Sequence, residues 1–455
     1  MSDDSSSLRT GRPGGVQRAL SNLGVLLGGR AVNAPLSLVH IWMATHLLGS
    51  YGFGLVAMMY AFARTMGDIV DFQSWQTVLH FGLKPLTEGN RRSFQKIVSF
   101  SLLLDSVGGV AGFGCGILIS LLAMQFLGWP PQLHLIGVLY CISILFMTSA
   151  TATGLLRVFD RYDLLAAQGT VATIVRVIGT GLMALGTPSI AALACVWGTA
   201  EAAAWATLFF MAAREMHRRD LIGGLFHEIR AIIPEILSGH FFRTYPGIWR
   251  FALNTNLNST LALAFGHIGT LVVGAFVGPT SAGYYRIASQ IAAGIAKPAT
   301  LIQTTVYPEM ARLWRDRSVN RLYRLAVQIA LTAGGIGTAL LVLTLFAGRP
   351  LLQVYIGHKG ATEALPVTLW LLASEIITVW GLPLEPLLFT TNHSGAAIGA
   401  RLLECAFFLP ALVVMVRQYG LSGVGPATLC GVSLLIVIQL VVVLRTAYSP
   451  IRAAA

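Results

Sequence analysis

A chain of 455 residues that is 55% hydrophobic and only 11% charged, with a mean hydropathy of +0.70, falls far short of the charge content of a soluble globule and reads as a polytopic membrane protein. Its formal charge of +12 would suit nucleic acid only if the basic residues clustered on a soluble domain; they are scattered in short segments between apolar runs, so no nucleic-acid partner is expected. The five cysteines, Cys115, Cys141, Cys195, Cys405 and Cys430, stand singly in apolar segments without metal-ligand or disulfide spacing, and no cofactor is expected.

In chain order, Met1 to Arg18 is rich in Ser, Asp, Gly and Arg and has no apolar core ahead of a small-residue cleavage site, so it reads as a tail and not a signal peptide. Runs of about 20 apolar residues then predict about twelve transmembrane helices, at roughly 20–48, 51–75, 97–127, 133–156, 163–185, 189–212, 251–277, 282–306, 325–347, 364–387, 395–416 and 423–446. The predicted architecture is all-α: a tail (1–19), a first lobe of six helices (20–212), a linker (213–250), a second lobe of six helices (251–447) and a short final tail (448–455). With the amino terminus inside, 23 basic residues fall on the inside and three, Arg349, Lys359 and Arg417, on the outside. That asymmetry places both termini in the cytoplasm.

Five basic residues remain within spans: Arg30, Arg64, Arg176, Arg286 and Lys297. Charges in a bilayer are normally paired or face a watery cavity. The first two spans are joined at Gly49-Ser50-Tyr51-Gly52, and on the second, Arg64, Asp68 and Asp71 share one helical face. Arg30 is as far from this turn as Asp71, so the two can pair near the inside mouth, while Asp68 can neutralise Arg64. Arg176 and Glu201 are nearly level across the turn at Gly186-Thr187-Pro188, and a buried pair is expected. The linker continues from Arg214 through Ile222, Leu225, Phe226, Ile229, Ile232, Ile233 and Ile236, mostly at helical spacing. It reads as an interfacial amphipathic helix or as a solvated linker with one apolar side.

The seventh span opens on Asn254, Asn256, Asn258, Ser259 and Thr260, groups that can bond sugar hydroxyls or satisfy one another between helices. His267, alone on its apolar helix, reads as a core histidine. Arg286 either lines a cavity or snorkels to the outer headgroups; Lys297, ahead of Pro298 and about 25 Å below the outside turn, either lines a cavity or snorkels inward. The longest outside loop is expected from Gly348 to Glu363. Glu375 has no basic partner evident from spacing and is the better candidate for ion or proton coupling, whereas Glu385 is level with Arg401.

The halves echo each other. Leu48-Gly49 with Gly54 recurs as Val277-Gly278 with Gly283, and six spans per half would make the repeat parallel, related by an axis along the membrane normal.

The stretch Leu48-Gly49-Ser50-Tyr51-Gly52-Phe53-Gly54-Leu55, with Asp71 near the end of the following span, resembles the polysaccharide-transporter family, the Wzx-type flippases. Gly283-Tyr284-Tyr285 and Tyr307-Pro308-Glu309-Met310-Ala311-Arg312-Leu313 extend the likeness. One departure is Gln73, where the family often has Gly. The resemblance places the chain in the superfamily of MATE drug antiporters and lipid II flippases. It implies two MATE-like lobes around a cavity open alternately to either side, and a polyprenyl-diphosphate-linked oligosaccharide as substrate, moved across a bacterial inner membrane for lipopolysaccharide or exopolysaccharide assembly. Its implied partners are membrane lipids, a polysaccharide polymerase and export machinery. Under this reading Lys297, Arg286, Arg64, Arg30, Asn254 and Asn258 contact substrate, and Asp68, Asp71 and Glu375 couple or gate. An enzyme is not expected, since the outside loops are too short for a catalytic domain. The rival is a MATE-type cation-coupled drug antiporter, with the same architecture but unpaired acids in its cavity.

Overall fold

The computed structural model describes the backbone of residues 15–122, 129–315, 318–391 and 393–453, and every element among them is helical. The amino-terminal half comprises α1 (Gly15–Val70), α2 (Ser74–Thr87), α3 (Arg91–Leu122), α4 (His134–Tyr140), α5 (Ala150–Val158), α6 (Tyr162–Ala184) and α7 (Ile190–Arg218). Two short helices, α8 (Leu225–Leu237) and α9 (His240–Thr244), lead to the second half: α10 (Ile248–Phe276), α11 (Pro279–Arg315), α12 (Val319–Trp380), α13 (Leu384–Thr390), α14 (Ser394–Tyr419) and α15 (Val424–Ala453). Among the described residues, eight helical stretches are long and apolar enough to cross a membrane.

The longest helices fold back on themselves. Gly49 adopts φ 67° and ψ 173° inside α1, left-handed backbone that glycine enters without a Cβ penalty. In a straight helix residues 40 and 60 would lie about 30 Å apart. Instead His40 and Tyr60 both meet Trp197, with ring centroids 5.5 and 5.1 Å away, so the two arms of α1 run side by side. Gly357 does the same in α12 with φ 69° and ψ 178°, bringing the indole N–H of Trp380 to donate to Thr338 Oγ at 3.2 Å. The expected outside loop from Gly348 to Glu363 is therefore helical apart from this bend. Its modest apolarity does not mark a stop in the hydrogen-bond ladder.

Two predicted spans are interrupted. The second ends at Val70 rather than 75 because Gln73 takes φ 49° and ψ 41° ahead of α2. Left-handed backbone costs a non-glycine residue about 1–2 kcal/mol, offset here by hydrogen bonds. The backbone N–H and Nε2 of Gln73 donate to Asp71 at 3.1 and 3.0 Å, and its Oε1 accepts from Trp75 Nε1 at 2.8 Å. The fourth span passes from α4 through a 3-10 segment, Cys141–Phe146, to α5. There Asp105 of α3, 4% exposed, accepts the Thr151 N–H at 2.7 Å and so occupies the open amino terminus of α5.

The two halves meet at the glycines of the internal echo. With Gly49 laid over Gly278, Ser50 falls on Pro279 and Gly54 on Gly283. A Cβ at Gly54 would overlap the Pro279 carbonyl oxygen, and a Cβ at Gly283 would lie 2.7 Å from the Ser50 carbonyl oxygen. Each half makes the same contact on the other, as across a two-fold axis.

Elsewhere α3 presents exposed Val107, Val110 and Leu118, and α6 exposed Ile174, Ile178 and Leu182, as helices facing hydrocarbon do. The linker is strapped to the start of α3: Arg92 pairs with Glu228 at 3.0 Å, Lys96 with Glu235 at 2.6 Å, and Phe100 stacks on Phe241.

Candidate functional site

Several interior charges gather around one tyrosine. On the second arm of α1, Tyr60 precedes Arg64 by one turn, and Arg64 Nε lies 3.0 Å from Asp68, itself 2% exposed. From α6, Arg176 donates to Glu201 of α7 at 2.6 Å, as the level spacing anticipated. Its guanidinium also lies over the rings of Trp197 and Tyr60, 4.7 and 5.0 Å from their centroids. Across from these, Arg286 of α11 lies over the same Tyr60 ring at 5.5 Å, and His267 of α10 meets it edge-on at 5.9 Å. Five helices from both halves thus converge on Tyr60. The sequence held part of this signal, because Tyr60 extends the Arg64–Asp68 face by one turn and Trp197 precedes Glu201 by one turn.

Burial decides what these groups can be. The indole N–H of Trp197 donates to His40 Nε2 at 3.0 Å; since an indole only donates, His40 is a neutral ring with its proton on Nδ1. Among the described residues, Arg64 pairs with Asp68 and Arg176 with Glu201. Among the described residues Arg286 has no carboxylate within 4.0 Å. Stacked guanidiniums of this kind keep their N–H edges available for bidentate bonds to phosphate or carboxylate oxygens.

One turn further along α11, Gln290 Nε2 donates to Ser37 Oγ on the first arm of α1 at 3.2 Å. Gln290 also lines an apolar cavity of about 370 Å³ with Leu38, Ile291, Leu340, Leu343 and Leu351. A polar centre bearing Arg286 therefore adjoins an apolar groove on one face of α11.

The remaining predicted residues fall elsewhere. Asp71 accepts from the backbone N–H and Nε2 of Gln73 and also lies within electrostatic reach of Arg64. Asn256 and Thr260 donate to the carbonyl oxygens of Asp71 and Asp68 at 2.9 and 3.2 Å, so these two members of the polar opening of α10 hold the halves together. Glu375 is not without a partner and lies within electrostatic reach of Tyr285. Glu385 pairs with Arg401 at 3.2 Å, as its level predicted. The side chains of Arg30, Asn254, Asn258 and Lys297 lie outside the described residues.

Comparisons with known proteins bear on the family and the fold. A family model described as polysaccharide biosynthesis protein matches residues 19–314. The inner membrane protein YghQ of Escherichia coli K12 is 30% identical over 350 residues, covering 76% of this chain and 94% of that protein. Among solved structures, a multidrug resistance MATE family transporter of the MOP superfamily, in an inward-facing conformation, superposes with a TM-score of 0.72 at 11% identity, covering 95% of this chain and 100% of its own. The lipid II flippase MurJ in an inward closed conformation gives 0.68 at 14% identity, over 92% and 87%. At such identities the two structures speak for the fold alone.

Proposed function

The chain belongs to the polysaccharide biosynthesis protein family and is a multi-pass inner membrane protein, and from that premise we propose that it flips a polyprenyl-diphosphate-linked oligosaccharide from the inner to the outer leaflet. The observation that carries the reading is the placement of Arg286 one turn from the groove at Gln290. A lipid-linked glycan is an anionic diphosphate with a long apolar tail, and this arrangement offers each part its own surface on a single helix.

The same reading supplies the architecture. Fold-backs at Gly49 and Gly357, with turns at Gly186, Gly278 and Gly420, support twelve crossings in two six-helix lobes, residues 20–212 and 251–447, with both termini cytoplasmic. The shared contact of Gly54 and Gly283 supports an axis along the membrane normal about which the lobes rock. Arg64, Arg286 and Lys297 would bind the diphosphate, with Arg30 at the inside mouth; Asn254 and Asn258 would meet the glycan, and Asp68, Asp71 and Glu375 would gate. No chemical step is proposed.

A cation-coupled drug antiporter is the alternative for this architecture. Arg286, with no carboxylate within 4.0 Å among the described residues, disfavours it, since a cationic cargo would meet like charge there. Native mass spectrometry of the purified protein separates the two. Retention of a polyprenyl-diphosphate oligosaccharide by the wild type, weakened in Arg286→Gln, is expected; retention of a cationic dye in its place would favour the antiporter.

A further inference from the structure

Helix α8 has two apolar faces. Leu225, Ile229, Ile232 and Ile236 turn toward the bundle, where Leu225 and Ile232 are buried. About a quarter-turn round the helix Phe226, Ile233 and Leu237 are 79, 44 and 83% exposed, and with Arg230 between them they form one outward stripe at helical spacing. A helix in bulk water would not hold three such side chains out on one line.

The docking of α8 says what covers that stripe. Its ion-pair partners Arg92 and Lys96 sit in the first turns of α3, a helix of 32 residues and hence about 48 Å, against a hydrocarbon core of about 30 Å. The start of α3 therefore stands at the membrane surface. The face of α3 that receives α8, through Lys96, Phe100 and Leu103, continues along the same stripe to Val107 and Val110, which are 57 and 63% exposed. So α8 lies over the lipid-facing side of α3. Around it Arg230, Arg243 and Arg250 are all exposed, and the chain on either side of the α8–α9 segment runs into the long apolar helices α7 and α10.

We propose that the exposed face of α8 lies in the headgroup region of the adjoining leaflet, with Phe226, Ile233 and Leu237 at the acyl boundary and Arg230, Arg243 and Arg250 against anionic phospholipid phosphates. The leaflet is the inner one on the topology given above; the membrane contact itself does not depend on what the protein transports. Such a helix binds through apolar area together with attraction to anionic lipid. It fixes the level of the amino-terminal half in the membrane at the point where the chain passes to the second half.

The test uses the full chain with its five cysteines replaced, spin-labelled at Phe226→Cys, Ile233→Cys or Leu237→Cys and reconstituted in vesicles. Glu88→Cys serves as the aqueous reference and Val110→Cys as the lipid reference. In vesicles containing phosphatidylglycerol the stripe should collide with oxygen in preference to a water-soluble nickel chelate, approaching the behaviour of Val110. That preference should fall in purely zwitterionic vesicles and in the variant carrying both R230E and R243E. Collisions like those at Glu88 at all three positions would overturn the proposal, and protection in native membranes alone would reassign the stripe to a protein partner. A preference unchanged by lipid charge would overturn the anionic-lipid part. Any one labelled position that folds is sufficient to read the result.

Discussion

Gly54 and Gly283 close one end of the molecule against each other, each leaving the space that the other half fills with a carbonyl oxygen, of Pro279 and of Ser50. Because the contact is the same in both directions, its two sides would come apart together if the lobes rock as proposed. Under the proposed rocking it would be the closing point at the Gly49 end.

Adding one methyl there should weaken closure. Gly54→Ala forces backbone to shift, at a cost of about 1–3 kcal/mol. A cysteine replacing Met58, which is fully buried beside Gly274, should then react with a maleimide that leaves it unlabelled when Gly54 is intact, and transport should fall at normal protein levels. Unchanged labelling and transport would show that the contact is incidental.

Arg286 is expected to act by charge. A charge-assisted hydrogen bond contributes about 1.5–3 kcal/mol, so Arg286→Gln should lower transport roughly ten- to a hundredfold while Arg286→Lys keeps part of it. Lys297→Gln should behave likewise, and Tyr60→Phe should be milder than Tyr60→Ala because the ring faces that carry Arg176 and Arg286 survive. Full activity of Arg286→Gln would reduce the residue to a packing role.

Asp105 is expected to be structural. Replacing it by Leu leaves the Thr151 N–H buried without its acceptor, a loss of about 1–3 kcal/mol, whereas Asn retains an acceptor oxygen. Thermal unfolding of the purified variants should show a lowered midpoint for Asp105→Leu and a smaller change for Asp105→Asn. Equal midpoints would contradict the capping role.

Topology is testable by site-specific labelling. Cysteines at Thr187, Lys359 and Gly420 should react from the periplasm, and at Glu88, Arg219 and His393 from the cytoplasm. Two or more sites on the wrong side would overturn both the twelve crossings and the parallel repeat.

What the sequence could show depended on whether partners lie at countable distances along a helix or across a turn. Arg64 with Asp68, Arg176 with Glu201 and Glu385 with Arg401 were legible on that basis. The bond of Trp197 to His40 joins residues 157 positions apart, and the seat of Arg286 on Tyr60 depends on how two halves pack; no spacing encodes either. Breaks were hidden for a related reason. Gln73 carries a left-handed backbone where glycine would have announced one, and the apolarity of the fourth span gives no sign of its 3-10 segment. The Gly54–Gly283 echo was visible as a pattern, but only the packing explains why neither position tolerates a Cβ.

The most direct test of the central claim is translocation by the purified protein in sealed vesicles carrying a polyprenyl-diphosphate-linked oligosaccharide in both leaflets, read with a membrane-impermeant glycosidase. Without protein, cleavage should stop once the outward-facing pool is consumed. With the wild type it should run toward completion, and with Arg286→Gln it should again stop near the outward-facing fraction. Cleavage that stops at the protein-free level with active wild-type protein, while the same vesicles exchange a cationic dye for protons or sodium, would contradict the flippase and leave the antiporter in its place.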